Sequence, residues 1–271
     1  MEREFKYTLI LSAIIISISL IFEFSKLPFL LKSVITTFAF LFSLYLFNPF
    51  LIPHVFELKE NEDKRLEEIV EKTVNLLKLK IRPKIFIMDV NYQNAMAFGN
   101  IFFKSIMFTK GILDVLNDEE LMAITAHELA HLKNHDPEKT LSIVLLLNTL
   151  IIFLINYSYV FLLLQLLLSV PLFTFIMRLN EKKADITAVK DNRWLTVHFE
   201  NALIKTEYIL QGHNSDYLKD VTDFKNIPLH VLHLAKQDLL NTKEGKSWFS
   251  SFLDTHPSLQ ERLKYLSKYE Y

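Results

Sequence analysis

The sequence predicts a mainly α-helical integral membrane protein with a small β-sheet. Hydrophobic residues make up 51% of its 271 residues, and Phe alone occurs 23 times, whereas charged residues still make up 23%. The first value is high for a soluble protein and the second is ordinary, so we expect membrane spans beside a separate water-exposed part. The length allows one such domain or two small ones. The net charge of −1 gives no basis for a nucleic-acid partner.

Four apolar stretches predict four transmembrane helices, since a helix needs about 20 residues to cross the hydrocarbon core. The first two are residues 7–22 and 33–52, and neither contains a charged side chain. The other two share the block 140–177, which has no acid, base or histidine and is expected to turn near residues 156–159. Because no small-residue cleavage site follows the first stretch, we interpret it as a signal anchor rather than a signal peptide.

Basic residues near the span ends predict the orientation in the membrane. If each pair of spans forms a hairpin, the N-terminus and the polar segments share one side. The opposite side carries only Lys26 and Lys32 near span ends. We therefore expect a multi-pass protein of the plasma membrane whose polar part faces the cytoplasm. The basic residues on the expected cytoplasmic side are Arg3, Lys6, Lys59, Lys64, Arg65, Lys133, Lys139, Arg178, Lys182 and Lys183.

The polar segments predict a small sheet accompanied by helices. Residues 61–79 repeat apolar side chains at helical spacing and carry charges on the other face, as an amphipathic helix does. Residues 84–90 and 101–108 are typical of strands, and residues 94–99 between them have the composition of a turn. Asp136 followed by Pro137 predicts the start of a helix, with Asp136 as its cap. From Trp194 onward the chain predicts mostly helices.

One predicted helix carries the residues that indicate chemistry. It begins after Asn117, a good N-cap, and Glu120 completes a capping box. The sequence His127-Glu128-Leu-Ala-His131 lies within this helix. Two histidines four residues apart share one face, so both imidazoles can reach one metal ion, with Glu128 close to a water bound there. In zincins the metal acidifies the water and the glutamate takes its proton as general base.

A catalytic zinc site usually has three protein ligands, so a third ligand is needed. It must be His, Asp or Glu because the chain has no Cys. The best candidate is Glu181, with Asp185 one turn later, where it could orient a ligand histidine. Two crossings by the block 140–177 return the chain to the side of His131, which lets Glu181 share its ion. Taken alone, these acids are also typical of a charged helix start outside a membrane.

Two alternatives concern the metal site itself. His131 and His135 are also four residues apart, although no glutamate lies between them and the helix is ending there. The ligand types favour zinc, but manganese or cobalt could bind the same donors.

These residues resemble a family of membrane zinc metalloproteases that includes the HtpX heat-shock protease and the type I CAAX prenyl protease. The resemblance covers most of the chain and is closer to the HtpX branch, because two spans precede the motif helix, two follow it, and the chain is short. Its motifs are the HELAH helix followed by Lys133-Asn134-His135-Asp136, then Glu181 with Ala184-Asp185, and finally Thr255-His256-Pro257 with Arg262.

The resemblance implies a zincin-like (gluzincin) catalytic domain with four transmembrane helices. One zinc ion (Zn2+) per chain would be bound by His127, His131 and Glu181, with Glu128 as the catalytic base. Asp185 resembles the aspartate that supports a ligand histidine in this family.

The resemblance also implies roles for two other segments. His256 is similar to a loop histidine near the zinc, where it would stabilise the oxyanion or gate the metal; the alternative is a cap for a helix that begins at Pro257. Asn94, Ala95, Ala97 and Gly99 resemble the segment that leads into the edge strand beside the active site. Such an edge can hold an extended peptide by main-chain hydrogen bonds.

The function implied by the resemblance is a membrane-embedded zinc endopeptidase that cuts damaged or misfolded membrane proteins. Its expected partners are the lipid bilayer and unfolded or membrane-protein polypeptides, and the residues favour no particular oligomeric state. The alternatives are a specific processing protease of lipidated or secreted peptides, an inactive zinc-binding scaffold, and a membrane adaptor with a chance motif. The intact Glu128 argues against the scaffold.

The expected organisation divides the chain into four parts. Residues 1–53 would form two transmembrane helices, and residues 54–139 the first part of the zinc-protease domain. Residues 140–177 would form a transmembrane hairpin, and residues 178–271 the second part of that domain.

Overall fold

The computed structural model describes residues 10, 13–14, 16–17, 20, 27–154, 158–211, 221, 223–241 and 255–270. The first predicted span, residues 7–22, therefore lies largely outside the described residues. In chain order the elements are α1 (Phe29–Val55), β1 (Lys59–Glu60), α2 (Lys64–Leu76), β2 (Lys84–Met88), β3 (Ala95–Gly99), β4 (Lys104–Thr109), α3 (Lys110–Val115), α4 (Asp118–Lys133), α5 (Asp136–Leu154), α6 (Tyr159–Val189), α7 (Leu195–Gln211), α8 (Leu229–Asn241) and α9 (Leu259–Leu266).

Among the described residues, α1, α5 and most of α6 are long and apolar enough to cross a membrane. Their apolar side chains lie largely on the surface of the protein rather than in a core, as expected for helices that are surrounded by lipid. α5 begins directly after α4, and α6 packs beside α5 as the chain returns. Three of the four predicted spans are thus present as helices, and the protein is a multi-pass membrane protein.

The sheet has the strand order β1-β2-β4-β3, so β3 forms one edge. β2 and β4 are parallel, whereas β3 is antiparallel to β4. The prediction of a turn at residues 94–99 is wrong, because β3 occupies most of that segment. Small and turn-forming residues have low intrinsic strand preference, but pairing with the buried strand β4 overrides it here. Of residues 101–108, only those from Lys104 onward form a strand.

Gly99 ends β3 in a conformation that only glycine adopts easily. Its φ is +146°, and a Cβ atom there would lie 2.2 Å from the carbonyl oxygen of Phe103. The N–H of Asn100 then donates to that same oxygen, which closes the turn into β4. The glycine therefore fixes the tight reversal between β3 and β4.

α4 lies at the centre of the water-exposed part. Its start is confirmed: Asn117 accepts a hydrogen bond from the Glu120 N–H, and the Glu120 carboxylate binds the Asn117 N–H. α2 packs its predicted apolar face on α4, and α6, α7 and β3 contact other sides of the helix. Most residues of α4 are buried as a result, so the side chains of the HELAH motif project from a fixed frame.

Candidate metal centre

α4 and α6 bring three ligand-type side chains together. Nε2 of His127 and Nε2 of His131 are 3.3 Å apart, because the residues lie one helical turn from each other. Glu181 of α6 places Oε2 3.6 Å from His127 Nε2 and Oε1 3.4 Å from His131 Nε2. One donor atom from each residue lies within 4.8 Å of the others, which could hold a metal ion; no other such group occurs among the described residues.

A buried carboxylate stands behind His127. Oδ1 of Asp185, on α6, lies 2.7 Å from His127 Nδ1, although the ring is not aligned for a well-formed hydrogen bond. Arg262 of α9 donates two hydrogen bonds to this carboxylate, from Nε at 2.9 Å and from Nη2 at 2.7 Å. The Tyr265 hydroxyl donates a third. These three donors fix Asp185, and Asp185 fixes which ring nitrogen of His127 faces the cluster.

His131 has a carboxylate of its own, which the sequence analysis did not assign. Oδ2 of Asp136 lies 2.9 Å from His131 Nδ1, and its other oxygen accepts a hydrogen bond from Lys139 at 2.9 Å. Asp136 is the first residue of α5 and was expected to act only as a helix cap. Each imidazole thus has a carboxylate on Nδ1 and leaves Nε2 for the cluster, the arrangement typical of metal-bound histidines.

The alternative pair of His131 and His135 is not formed. α4 ends at Lys133, and His135 has a positive φ of 57° in the connection to α5. Its side chain is exposed, with Nδ1 3.9 Å from Glu138. The change of backbone direction at the helix end therefore turns His135 away from the cluster.

Glu128 lies between the cluster and the sheet edge. Its Oε2 accepts a hydrogen bond of 2.9 Å from the Ala97 N–H of β3. Its Oε1 is 4.0 Å from His127 Nε2. One carboxylate oxygen is therefore held by the strand, and the other faces the space beside the cluster.

Only some of the four residues predicted to lie at the substrate edge, namely Asn94, Ala95, Ala97 and Gly99, have free backbone groups. Asn94 is already paired with Thr109, through both its N–H and its C=O, and the Gly99 carbonyl accepts a hydrogen bond from Asn48 of α1. Ala95 turns its backbone groups to the same side as Ala97, because directions alternate along an antiparallel strand. The edge facing the cluster is therefore centred on Ala95 and the Ala97 carbonyl.

His256 lies at the mouth of the cluster, ahead of α9. Its Nδ1 is 3.1 Å from Glu181 Oε2, and its side chain is 69% exposed. The hydrogen bond and the charge of Glu181 raise the pKa of His256, against the opposing effect of partial burial. The cap of α9 is a different residue, Ser258, whose hydroxyl accepts from the Glu261 N–H. His256 is thus a contact of the cluster and does not cap the helix.

Negative charge dominates the surroundings of the cluster. Burial lowers the pKa of His131, but its hydrogen bond to Asp136 and the charges of Glu128 and Glu181 outweigh burial and raise the pKa above its usual value. Arg262, which is buried, offsets mainly the charge of Asp185. The excess of carboxylates over permanent cations favours a bound cation at the three donor atoms.

A cleft of about 670 Å³ gives access to the cluster. Its lining includes residues 93–97, which contain most of β3, and the motif side chains of α4. Glu181 and His256 also line it. The free edge of the sheet and the cluster therefore border the same cleft.

Comparison with known proteins identifies the family to which this geometry belongs. The sequence profile of Peptidase family M48 matches residues 60–270, which include β3, the cluster and α9. The chain belongs to this family. The predicted resemblance to membrane metalloproteases of the HtpX type is therefore confirmed.

Similar proteins agree with this membership. The chain is 26% identical to the "Protease HtpX homolog" of Helicobacter pylori over 232 residues, which cover 79% of this chain and 68% of that protein. It is 29% identical to "Protease HtpX homolog 1" of Sulfurisphaera tokodaii over 230 residues, which cover 74% and 73%. The protein is accordingly an HtpX-like membrane metalloprotease of Peptidase family M48.

The fold is also similar to a solved membrane protein. The crystal structure of S. mikatae Ste24p matches with a TM-score of 0.63 at 19% identity. The match covers 94% of this chain but 62% of that one. At this identity the likeness concerns the fold, and it extends from the membrane helices through the water-exposed part.

Two supporting residues could be found only in part from the sequence. Arg262 belongs to the family pattern, which does not identify its partner, and no pattern in the sequence indicates a role for Tyr265. Their spacing of three residues on an amphipathic helix indicates one shared face, but not which acid that face meets. Asp136 gave a signal that was assigned to helix capping instead.

Proposed function

We propose that the protein is a zinc-dependent endopeptidase that binds its substrate along β3 and cuts it at the cluster of His127, His131 and Glu181. The observation that supports this most strongly is the position of Glu128. It touches the sheet edge with one oxygen and faces the three ligand-type side chains with the other. A ligand site, a base and a substrate edge therefore meet at one place.

The donor set fits zinc. Two imidazoles and one carboxylate match the ligand types of catalytic zinc sites, and both imidazoles carry the supporting carboxylates expected of ligands. A zinc ion held there would acidify a bound water and polarise the substrate carbonyl. The ligands would be His127, His131 and Glu181, and Asp185 and Asp136 would keep the histidines oriented.

In this proposal Glu128 moves the proton. The oxygen that faces the cluster accepts a proton from the attacking water and delivers it to the nitrogen of the leaving amine. The hydrogen bond from Ala97 holds the other oxygen, so the carboxylate does not need to reorient between the two steps. β3 would thus position the base as well as the substrate.

The substrate would add a strand to β3. Ala95 and the Ala97 carbonyl supply main-chain partners, and the small alanine side chains leave room beside the cluster. Main-chain pairing of this kind tolerates many sequences. This tolerance supports cleavage of damaged or misfolded membrane proteins, which share exposed chain rather than a common sequence. A specific processing protease of lipidated or secreted peptides remains the second candidate.

The proposed catalytic part faces the cytoplasm and is built from two stretches of chain. Residues 54–139 supply α4 and the sheet, and residues 178–271 supply Glu181, Asp185 and α9, with the hairpin of residues 140–177 between them. The basic residues near the span ends support the orientation. A cysteine introduced at Glu71 of α2 that reacts with an impermeant label in intact cells would contradict it.

The test compares the wild type with Glu128→Gln, both purified in detergent and loaded with zinc. We expect cleavage of an unfolded reporter protein to fall by at least about 10²-fold in the variant, since a general base contributes that much or more. Bound zinc should remain at one ion per chain, because Glu128 is not among the ligands. Glu119→Gln, on the exposed face of the same helix, is the matched control and should cut normally.

Other outcomes discriminate between the candidates. Equal cleavage by both proteins would assign the activity to a contaminant. Bound zinc without any cleavage by the wild type would favour the inactive scaffold or a narrow processing protease. The absence of stoichiometric zinc would favour an adaptor that carries the motif by chance.

A further inference from the structure

The turn between β3 and β4 carries three consecutive large apolar side chains on its surface. We refer to residues 100–103 as the hairpin tip. Within it Ile101 is 59% exposed, Phe102 is 70% exposed and Phe103 is 52% exposed. Turns in water are normally polar, and a contiguous apolar patch of this kind marks a surface for a membrane or a partner.

The hairpin tip is fastened to a membrane helix. The Asn100 side chain donates a hydrogen bond of 2.7 Å to the Leu46 carbonyl of α1, and Asn48 of α1 donates one of 3.1 Å to the Gly99 carbonyl. The ring of Phe103 meets that of Phe50 edge to face, with centroids 5.3 Å apart. The apolar surface of the tip therefore continues directly into the surface of α1.

The position of these contacts along α1 places the tip near the border of the bilayer. α1 has 27 residues, which at about 1.5 Å per residue give a length of roughly 40 Å. This exceeds a hydrocarbon core of about 30 Å, so one end reaches into the headgroup region. The tip meets residues 46–50, within the last ten residues of the helix, and Lys104, directly after the tip, pairs with Glu138 at the start of α5.

The backbone of the hairpin tip is suited to an apolar environment. Oδ1 of Asn100 accepts hydrogen bonds from the N–H groups of Phe102 and Phe103, at 2.8 and 2.9 Å, and the Asn100 N–H donates to the Phe103 carbonyl. Backbone groups that enter lipid must find partners within the protein. The buried Asn100 supplies these partners. The apolar side chains can therefore leave water while these backbone groups keep their hydrogen bonds.

We propose that the hairpin tip is inserted into the interfacial layer of the lipid bilayer, next to α1. Burial of Phe and Ile at the boundary of headgroups and acyl chains is a common means of interfacial anchoring. β3 leads directly into the tip, so the sheet edge beside Glu128 is held at the membrane surface. If the proposed function holds, the cleft then receives chains that emerge from the bilayer.

The test measures the depth of the tip without any use of activity. The chain contains no Cys, so Phe102→Cys and Ile101→Cys each create a single site for a nitroxide label. The full chain is placed in nanodiscs of phosphatidylcholine with phosphatidylglycerol. Accessibility to oxygen, which concentrates in lipid, is compared with accessibility to a water-soluble nickel chelate. Leu167→Cys on the exposed surface of α6 and Glu71→Cys on the exposed face of α2 provide the lipid and water references.

We expect both tip labels to give an oxygen-to-nickel ratio severalfold above that of Glu71→Cys, approaching or equal to that of Leu167→Cys. A ratio equal to that of Glu71→Cys would place the tip in water and overturn the proposal. Protection from both reagents would mean that protein covers the tip, which would also overturn it. Circular dichroism of each labelled protein shows whether the fold is intact. The labels at the two tip positions should give the same result.

Discussion

The two histidines of the candidate metal centre receive different support from the surrounding chain. The carboxylate behind His127 is Asp185, which comes from α6 and is held by two side chains of α9. The carboxylate behind His131 is Asp136, which follows five residues later in the chain and is held by Lys139 at the surface. One histidine is thus oriented by segments that only the fold brings together, and the other by its own immediate continuation.

The difference between the two carboxylates is one of desolvation. Asp185 is 0% exposed, so water cannot satisfy its charge, and Arg262 and Tyr265 must do so. Asp136 is also buried, at 5% exposed, but the side chain of its cationic partner Lys139 is 40% exposed, so water reaches that ion pair. We therefore expect damage at the first site to affect folding and metal binding together. Damage at the second site should affect mainly metal binding.

The largest effect on stability is expected from Arg262→Ala. It leaves the charge of Asp185 buried without a cation, which typically costs about 3–5 kcal/mol. The free energy of unfolding of the zinc-free protein in detergent, from a denaturant titration, measures this loss. Arg82→Ala, at an exposed position, is the control and should change the value by less than about 0.5 kcal/mol. A loss below about 1 kcal/mol for Arg262→Ala would show that the charge of Asp185 is compensated without the arginine. The supports of His127 and His131 would then not differ in their effect on stability.

Asp136→Asn tests the other side of the comparison. Asparagine has nearly the same shape but no charge, so the orienting hydrogen bond to His131 weakens while packing is kept. We expect the affinity for zinc to fall about 10–100-fold, as for other partners of metal-bound histidines, with a change in stability of no more than about 1 kcal/mol. Competition with a chelator measures the affinity, and the exposed Asp114→Asn is the matched control. Unchanged affinity would mean that α4 alone orients His131.

The same contrast explains how much of the site could be predicted from the sequence. The HELAH spacing, the capping box at Asn117 and the apolar face of α2 are local patterns, so their helices follow from periodicity. The two crossings of the hairpin allow Glu181 to reach the histidines, but the family pattern rather than spacing selects it as the third ligand. The partnership of Asp185 with α9 depends on tertiary packing between segments far apart in sequence, and no local pattern encodes it.

Two local signals had more than one meaning. Asp136 before a proline is typical of a helix start, and the structure gives its carboxylate to His131 instead. Residues 94–99 are rich in small and turn-forming types, but pairing with β4 makes most of them a strand. A contact five residues back along the chain decided the first case, and pairing between two strands decided the second. The second supporting carboxylate was therefore visible only in three dimensions, whereas an edge strand near residues 94–99 was implied by the family resemblance alone.

Glu181, the third proposed ligand, has the most exposed supporting residue of the three. Glu181 is contacted from the solvent side by His256, whose side chain is mostly exposed and comes from the segment before α9. This contact favours the gating role over the oxyanion role, because His256 touches a proposed ligand directly. We expect His256→Ala to lower the affinity for zinc about tenfold, the lower end of the range for such partners, with stability unchanged.

Excess zinc separates the two roles of His256. If the histidine only holds Glu181, saturating zinc should restore kcat of the His256→Ala variant to that of the wild type. If it stabilises the oxyanion, kcat should stay about 10²-fold low even when the site is full, as for other lost oxyanion donors. His233→Ala, at an exposed histidine of α8, controls for the loss of a surface imidazole. A persistent kcat defect would move His256 from the group that supports the metal to the group that contacts the substrate.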